Sequence, residues 1–567
     1  MNDQVRLAVI TNRMQSIVRA MANTLFRTGR SGVLATGKDF SACIVTHDDH
    51  LLAAAESLPI HILSGPDLVA RHMREVHPDL DAGDAFLHNS PYDGNSHAGD
   101  HCLVVPVVDA DGIHRFTVVV KAHLADIGNS MPTTTMPMAR DVYEEGALIF
   151  PSVQVQRGYE DVEDVIRMCE ARIRVSEMWR GDYLAMVGAA RVGERELLAL
   201  GDELGWEALV DYSRAWFDYS ERLMAARLST LPTARVSAST AYDAMPVPGL
   251  EAGLPIRVTV DVRPDEGIVE VDCSDNPDCV PCGINLTEAT ARSAVLLGVF
   301  NSLGAGIPPN GGSFRRVQIR LRDNCVCGIP SHPVSCSTAT TGVADRLAGA
   351  VQMALAELGD DVGMAECGGT LPVASSVISG TDPRHGDAPF VNMLILGVTG
   401  GPAHAWGDGW LTHTGGCAGM ILRDSTELDE LLHPIRIEVD RIVPDTEGAG
   451  RHRGAPSNLV ELGPTHGPVS LVWTAEGSSH AALGVRGGGE GATARQFKRC
   501  ADGQLSALEP YSSTTLQPGE TVLSYSAGGG GYGNPSERRP ELVQRDVREG
   551  YVTRERAAEV YGVVVTP

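Results

Sequence analysis

The sequence has no run of about 18 consecutive apolar residues, so it offers no ordinary membrane-spanning helix. Its first residues, MNDQVRLAVITNR, lack the basic region and the long apolar core of a secretory signal. We therefore expect neither a membrane span nor secretion, and we expect a cytoplasmic location.

Basic side chains are scarce relative to acidic ones. Lys and Arg total 46 against 72 Asp and Glu, which gives a net charge of −26. Such a chain repels nucleic acids and anionic membrane surfaces, so neither is an expected partner. With 567 residues and 43% hydrophobic side chains, the chain should fold into two to four domains, or into one large domain with insertions.

Cysteine is too sparse for a disulfide framework, with twelve thiols in the whole chain. A structural zinc site needs two close pairs of ligands, and one group of cysteines only approximates that spacing. Buried free thiols are the simpler interpretation. The group consists of Cys273, Cys279, Cys282, Cys325 and Cys327.

A complete phosphate loop is also missing. Gly32, Gly37 and Lys38 nearly form one, but Asp39 stands where a Ser or Thr is required. The segment before the glycines has the periodicity of a helix, whereas a phosphate loop follows a strand. We therefore expect no ATP site in this segment.

What the sequence does contain is a polar stretch around a predicted β-hairpin. Apolar runs at residues 102–108 and 116–120 flank an Asp-Gly turn at residues 111–112. If the turn is centred there, paired positions sum to about 223 in the antiparallel register. Asp100 then lies opposite His123 at the open end of the hairpin.

Three potential metal ligands meet at that open end. His97 precedes Asp100 by three positions, so its imidazole, the carboxylate and the imidazole of His123 can converge. Such a set suits zinc, manganese or iron(II), and it leaves room for water or substrate. The alternative is a group of solvated polar side chains on a surface hairpin, and the residues alone leave both interpretations open.

A second hairpin is predicted from residues 40–46 and 51–55, and Asp39 lies at its open end. If the two hairpins pack side by side, Asp39 would supply a fourth ligand. Nothing in the residues alone requires that arrangement.

The order of the remaining segments predicts an α+β fold with several lobes. Helical composition dominates residues 161–231, and residues 181–200 predict a helix pair. Further on, alternating apolar residues predict a hairpin at 256–273, and helices are expected at 287–303 and 343–358. The expected regions are 1–232, a hairpin-rich metal-site lobe with central helices; 233–365, mixed α/β; 366–535, glycine-rich β; and 536–567, a helical tail.

Several polar side chains lie in the glycine-rich loops of the third region, where functional residues are often found. For each of them a structural role is the favoured interpretation. They are His404, Asp408, His413, Glu427 and Glu430.

A set of segments, in their order along nearly the whole chain, resembles one known family. The segments include KDFSACIV, GDAFLHNSPYDGNSHAGDH, AHLADIG, DVYEEGALIFPSVQV, PDTEGAGRHRGA and SAGGGGYGNP. The family they resemble is that of the B subunits of ATP-dependent hydantoinases and oxoprolinases. It includes caprolactamase subunits and the alpha subunits of acetone and acetophenone carboxylases.

The resemblance implies one divalent metal ion held by Asp39, His97, Asp100 and His123. Zinc or manganese is expected, with iron as a further option. ATP is expected only on a separate hydantoinase A-type subunit, in a heterotetramer or larger assembly. That subunit would phosphorylate the oxygen of a small cyclic amide, and water activated by the metal ion would then open the ring.

Three further residues are weaker candidates within the same resemblance. Tyr92, His101 and Asp126 are expected to orient the ligands or to transfer protons. One departure lies beside them, because this chain has Asn-Ser-Pro-Tyr at residues 89–92 where many relatives have Asn-Asp-Pro-Tyr. The substrate is therefore expected to differ from those of the familiar members.

Two alternatives stay open at this point. The same site could serve an ATP-dependent ketone carboxylase, in which an activated enol meets an acceptor derived from bicarbonate. The chain could also be a non-catalytic scaffold that holds a structural ion. Bicarbonate dependence distinguishes the first alternative, and a fully ligated ion without an open position distinguishes the second.

Overall fold

The computed structural model describes residues 3–304, 306–411 and 413–566. Helices and strands are interleaved along this part of the chain, and the strands form four sheets. The predicted α+β class is therefore confirmed. Within the described residues, no helix combines the length and the apolar character needed to cross a membrane.

Seven N-terminal strands form one antiparallel sheet. They are β1 (Phe40–Thr46), β2 (Leu51–Ala54), β3 (Ala85–His88), β4 (Asp100–Val108), β5 (His114–His123), β6 (Val153–Arg157) and β7 (Glu160–Asp161). Their order across the sheet is β2-β1-β5-β4-β3-β6-β7.

The register of the β4-β5 hairpin agrees with the prediction. Asp100 pairs with His123, and the pairing continues to a bulge between Val107 and Val108. The two predicted hairpins also pack side by side, because β1 pairs with β5 and Phe40 lies opposite Ala122. The open ends of both hairpins therefore lie at the same end of the sheet.

Helices cover the N-terminal sheet. The first of them, α1, is the helix predicted before the glycines at residues 32 and 37, and its Ile10, Met14, Met21 and Leu25 are buried. The helices of this part are α1 (Asp3–Thr28), α2 (Gly32–Ala35), α3 (Pro59–Ile62), α4 (Pro66–Val76), α5 (Val142–Glu145), α6 (Glu163–Arg172), α7 (Ser176–Leu204) and α8 (Trp206–Leu228).

The predicted helix pair at residues 181–200 is wrong, because this stretch lies inside the single helix α7. Its glycines do not interrupt the helix. A Cβ at Gly193 would lie 2.6 Å from the sulfur of Met21, so this glycine permits close packing of α1. The glycine thus serves helix packing and not a turn.

The middle of the chain pairs a four-stranded sheet with two long helices. The predicted hairpin and helices are confirmed, and Thr287 caps α9 by accepting a hydrogen bond from the Thr290 amide. The strands are β8 (Ala234–Tyr242), β9 (Leu254–Arg263), β10 (Ile268–Asp272) and β11 (Val317–Arg320), in the order β11-β10-β9-β8, and the helices are α9 (Glu288–Leu303), α10 (Gly311–Phe314) and α11 (Val343–Ala356).

Two further sheets form the glycine-rich part. One has the order β13-β12-β16-β19 and comprises β12 (Val377–Asp382), β13 (Ala388–Met393), β16 (Val469–Thr474) and β19 (Tyr511–Leu516). The other has the order β14-β15-β20-β17-β18 and comprises β14 (Ile435–Ile442), β15 (Asn458–Pro464), β17 (Arg495–Arg499), β18 (Leu505–Ala507) and β20 (Thr521–Tyr525).

The C-terminal tail, predicted to be helical, contains two helices among its described residues. Gly550 has a φ of 76° and ends the first of them, and the side chain of Thr553 caps the second. The remaining helices are α12 (Thr426–Leu432), α13 (Pro540–Arg548) and α14 (Arg554–Tyr561), with short 3-10 turns at Val373–Ser375, Pro383–His385 and Pro535–Glu537.

Candidate metal centre

Three side chains converge at the end of the N-terminal sheet. Asp100 begins β4, His123 ends β5, and His97 lies in the loop that leads into β4. The Oδ1 atom of Asp100 is 3.1 Å from Nε2 of His97 and 3.0 Å from Nδ1 of His123, and the two nitrogens are 3.2 Å apart. All three side chains are buried. Their ligand atoms thus surround one point.

Hydrogen bonds behind the two imidazoles set their orientation. The Nδ1 atom of His97 lies 2.7 Å from the carbonyl oxygen of Ser337, so it carries the proton and donates it. The Nε2 atom of His123 lies 2.8 Å from Oγ1 of Thr134. When these outer nitrogens donate, the inner nitrogens present lone pairs to the shared point, as metal-binding imidazoles do.

The two oxygens of Asp100 face different partners. Oδ1 faces the imidazoles of His97 and His123, whereas Oδ2 accepts a hydrogen bond from Ser96 and lies 3.0 Å from Nε2 of His61. Burial alone would raise the pKa of Asp100, but the charges of His61 and His97 and the hydrogen bonds hold it well below its usual range. The carboxylate is therefore anionic, with Oδ1 left for an ion.

Asp39 lies beside this group but does not belong to its tight core. Its main-chain oxygen accepts a hydrogen bond from the amide of His123 (3.1 Å). Its Oδ1 is buried, makes no hydrogen bond among the described residues, and lies 3.9 Å from Nε2 of His61. Burial raises the pKa of Asp39, against the opposing charges of His123 and His61. A cation bound at this point would satisfy Oδ1 of Asp39.

His61 was missed by the sequence analysis. It lies in α3, which begins at Pro59, and only 2% of its side chain is exposed. The amide of Ile60 donates to the carbonyl of Cys417 (3.2 Å), which ties α3 to a distant part of the chain. The one indication in the sequence is a lone imidazole among apolar neighbours in LPIHIL, and that pattern is equally typical of a core residue.

Tyr92, His101 and Asp126 make no hydrogen bond to the converging side chains within the described part of the structure. The hydroxyl of Tyr92 donates to the carbonyl of Val334 (2.6 Å). His101 packs edge-on against Phe150, and neither of its ring nitrogens has a hydrogen-bond partner in the described structure. Burial lowers its pKa to about 3.

The carboxylate of Asp126 holds the segment before α7 in place. It accepts hydrogen bonds from the backbone amides of Gly128 (3.0 Å), Arg174 (2.8 Å) and Val175 (3.2 Å). These contacts give the side chain a local structural task. Any role in orienting ligands or moving protons would have to act over a longer distance.

The donor atoms fit a divalent transition metal, since imidazole nitrogens and carboxylate oxygens are its usual protein ligands. His97, Asp100 and His123 are the only such group that the described residues contain, with ligand atoms within 4.8 Å of one another. A Cβ at Gly99 would lie 2.7 Å from Cε1 of His97 and 2.9 Å from Cε1 of His123. The glycine thus allows the imidazoles to approach.

The other candidates from the sequence have structural contacts. The described cysteines are free thiols and form no metal-binding group. Asp408 pairs with Arg538 at 2.7 and 2.8 Å, and Glu430 accepts a hydrogen bond from the Ile437 amide. These contacts agree with the favoured interpretation of the glycine-rich loops.

A cavity opens beside the converging side chains. Asp39, His61, Asp100 and His123 form its polar end. Hydroxyl groups and aliphatic side chains form the remainder. These are Thr135, Thr340, Thr341, Ser375 and Thr414, with Leu58, Ile60, Leu371, Met393, Ile395, Ala418 and Ile421.

Comparison with known proteins gives matches over nearly the whole chain. A family model described as hydantoinase B/oxoprolinase matches residues 3–535. The beta subunit of caprolactamase from Pseudomonas jessenii is 32% identical over 580 residues, covering 99% of this chain and 96% of that one. A putative D-/L-hydantoinase B subunit from Pseudomonas sp. (strain NS671) is 26% identical, covering 100% and 95%.

Two solved structures share the fold. The crystal structure of the ATP-dependent caprolactamase from Pseudomonas jessenii gives a TM-score of 0.88 at 27% identity, covering 99% of this chain and 96% of that one. The nucleotide-free acetone carboxylase gives a TM-score of 0.88 at 16% identity, covering 100% and 80%. The second likeness concerns the fold alone.

Proposed function

Because this chain belongs to the hydantoinase B/oxoprolinase family, we propose that it is the metal-binding subunit of an ATP-dependent enzyme that hydrolyses cyclic amides. The observation that carries the proposal is the convergence of His97, Asp100 and His123 on one buried point at the edge of a cavity. A buried point with three donors and an open side is the arrangement of a catalytic metal site.

In this proposal His97, Asp100 and His123 hold the ion, and Asp39 is the fourth ligand. The ion would polarise a substrate oxygen and lower the pKa of a water molecule. Ser337 and Thr134 keep the imidazoles turned so that their inner nitrogens face the ion. The aliphatic side chains of the cavity exclude bulk water from the reacting amide.

ATP is assigned to a partner subunit of the hydantoinase A type. Two observations support this assignment. The near phosphate loop of this chain contains Asp39, which faces the candidate metal centre. The caprolactamase and hydantoinase relatives are both named as single subunits, and thus as parts of larger enzymes. A heterotetramer or larger assembly in the cytoplasm, with a phosphorylated cyclic amide as the shared intermediate, completes the proposal.

A ketone carboxylase is the second candidate, and the similarity in fold to acetone carboxylase favours it. In that case the same cavity would hold an enol and the product would carry a new carbon–carbon bond. The two candidates differ in what they consume. ATP-dependent loss of a lactam without bicarbonate supports the hydrolase, whereas bicarbonate-dependent loss of a ketone supports the carboxylase.

The proposal is tested by replacing ligands in the assembled enzyme. We expect Asp100→Asn and His123→Ala to lose bound metal and at least about 100-fold in ATP-dependent lactam hydrolysis. Asp111→Asn, in the exposed turn of the same hairpin, is the matched control and should keep both. Metal analysis and turnover are measured on the same samples. Normal metal content and turnover in Asp100→Asn would contradict the proposal.

A further inference from the structure

Five hydroxyl side chains line the cavity beside the candidate metal centre, and they differ in whether their protons are already used. Ser375 (2.8 Å) and Thr414 (3.3 Å) each donate to a main-chain carbonyl oxygen. The hydroxyls of Thr135, Thr340 and Thr341 make no hydrogen bond among the described residues, and Thr135 is only 9% exposed. A hydroxyl without a partner can donate to a ligand, so the cavity wall offers three unused donors.

The segments that carry these donors also orient the proposed metal ligands. Thr135 directly follows the threonine whose hydroxyl lies 2.8 Å from Nε2 of His123. Thr340 lies three positions after Ser337, whose carbonyl oxygen is 2.7 Å from Nδ1 of His97. The same two segments therefore place the unused donors on the cavity wall and the imidazoles at its polar end.

Thr340 and Thr341 also lie just before the 14-residue helix α11. The amino end of a helix carries partial positive charge and unpaired amide groups, and it favours a nearby anion. Asp345, in the first turn of α11, does not line this cavity, and its carboxylate accepts a hydrogen bond from the Cys417 amide (2.7 Å). The unused hydroxyls and the helix end are thus two separate features that favour an anion at this wall.

The charges of the cavity restrict when an anion can bind. Asp39 and Asp100 line the wall, and no Lys or Arg does so among the described residues. Without a metal ion these carboxylates would repel an anion, whereas one divalent ion would offset both charges. A phosphoryl group offers three strong acceptor oxygens, which suits a site with three hydroxyl donors.

From these observations we propose that Thr135, Thr340 and Thr341 bind the phosphoryl group of the activated substrate. This inference rests on the proposed function, in which the partner subunit phosphorylates the amide oxygen. The three threonines would hold the phosphoryl oxygens and so keep the amide carbon beside the polar end of the cavity. The aliphatic side chains of the same cavity would keep bulk water from competing for these hydrogen bonds.

Binding of inorganic phosphate tests the inference. The chain is purified with its partner subunit and loaded with metal, the partner's nucleotide site is filled with a non-hydrolysable ATP analogue, and bound radioactive phosphate is measured by equilibrium dialysis. We expect Thr340→Val and Thr341→Val each to weaken phosphate binding by at least about tenfold, because each loses a hydrogen bond to a charged ligand. Thr340→Ser, which keeps the hydroxyl, should bind phosphate as the unsubstituted enzyme does.

Thr414→Val is the matched control, because its hydroxyl lines the same cavity but already donates to a carbonyl oxygen. It should keep the phosphate affinity, and removal of the metal with a chelator should abolish binding in every sample. Metal content is measured for each variant. Unchanged phosphate affinity in metal-loaded Thr340→Val and Thr341→Val, or no metal-dependent phosphate binding by the unsubstituted enzyme, overturns the inference and leaves the proposed function standing. Absence of ATP-dependent lactam turnover in the unsubstituted enzyme is a separate outcome, which overturns the proposed function and with it this inference.

Discussion

At the scale of single residues, the central feature of the site is that the two carboxylate oxygens of Asp100 have different partners. One oxygen faces two imidazoles and the other faces His61 and Ser96. His61 differs from the two proposed imidazole ligands, because its Nδ1 finds no hydrogen-bond partner among the described residues that would fix its tautomer. The position of His61 is therefore better explained by a hydrogen bond that its Nε2 donates to Asp100 than by ligation of the metal ion. In that role His61 would hold the Asp100 carboxylate in its orientation.

This role for His61 predicts a defined loss. His61→Ala should weaken metal binding by about 10- to 100-fold, because Asp100 loses one of the groups that orient it. His61→Gln, which keeps an N–H donor of similar reach, should recover part of the affinity. Titration with a competing chelator measures both variants, and His466→Ala in an exposed loop is the control. Full affinity in His61→Ala would show that Asp100 needs no such partner.

Local sequence patterns could bring His97, Asp100 and His123 together, but they could not place His61 beside them. Asp100 and His123 meet because the register of a local hairpin can be counted from its turn. His61 lies in α3, whose position involves distant parts of the chain, since the Ile60 amide donates to the carbonyl of Cys417. That contact spans more than half of the chain, and no local pattern encodes it.

At the scale of elements, periodicity predicted most helices and strands but not every break between them. The start of α9 near residue 287 could be predicted because the cap formed by Thr287 depends only on the next three residues. The continuity of α7 through Gly193 was not recognised, because a glycine is a break or a packing contact according to what lies against it. Here the neighbour is Met21 of another helix, which the local sequence does not reveal.

Helix α12 contains a buried carboxyl group, that of Asp429, whose ionisation makes the stability of the fold depend on pH. Burial and the neighbouring charge of Asp424 raise the pKa of Asp429 from 3.8 to about 8, and its Oδ2 has no hydrogen-bond partner in the described structure. The folded state therefore prefers protonated Asp429. The contribution of Asp429 to the free energy of unfolding is fully present below about pH 4 and is lost as the pH rises through about 8. The reason is that Asp429 loses its proton at a lower pH in the unfolded chain than in the folded protein.

Asp429→Asn should remove this dependence. Between pH 5 and pH 9 the free energy of unfolding of the unsubstituted protein should fall by about a few kcal/mol more than that of the variant. This is the order of magnitude expected for a buried carboxyl group whose pKa is raised on folding. Denaturant unfolding at both pH values measures the difference. Glu438→Gln, on the exposed face of β14, is the control and should retain the full dependence. Parallel curves for Asp429→Asn and the unsubstituted protein would refute this explanation.

At the scale of the whole molecule, a buried ion cluster joins the central helix α11 to the glycine-rich part. Arg346 is 2% exposed and contacts Glu366 at 2.9 Å and Glu476 at 2.8 Å, and it also donates to the carbonyl of His480. These partners come from separate segments, so the cluster could not be predicted from local patterns. The proposed division into regions at 1–232, 233–365, 366–535 and 536–567 stays a prediction.

Removing the guanidinium should destabilise the whole fold. Arg346→Met leaves two buried carboxylates without a cation, which costs about 3–5 kcal/mol when one partner of a buried pair is lost. Arg436→Met breaks an exposed ion pair with Glu438 and should cost less than about 1 kcal/mol. Denaturant unfolding of both variants gives the comparison. Equal losses would mean that burial does not set the strength of the Arg346 cluster.

The claim that a divalent ion is bound by the strand ends of the N-terminal sheet has one direct measurement. X-ray diffraction from crystals of the purified protein, collected on both sides of the absorption edge of its bound metal, locates the ion by its anomalous scattering. We predict one peak within coordination distance of Nε2 of His97, Oδ1 of Asp100 and Nδ1 of His123. A metal-containing protein whose anomalous peak lies elsewhere, with this site empty, would contradict the account.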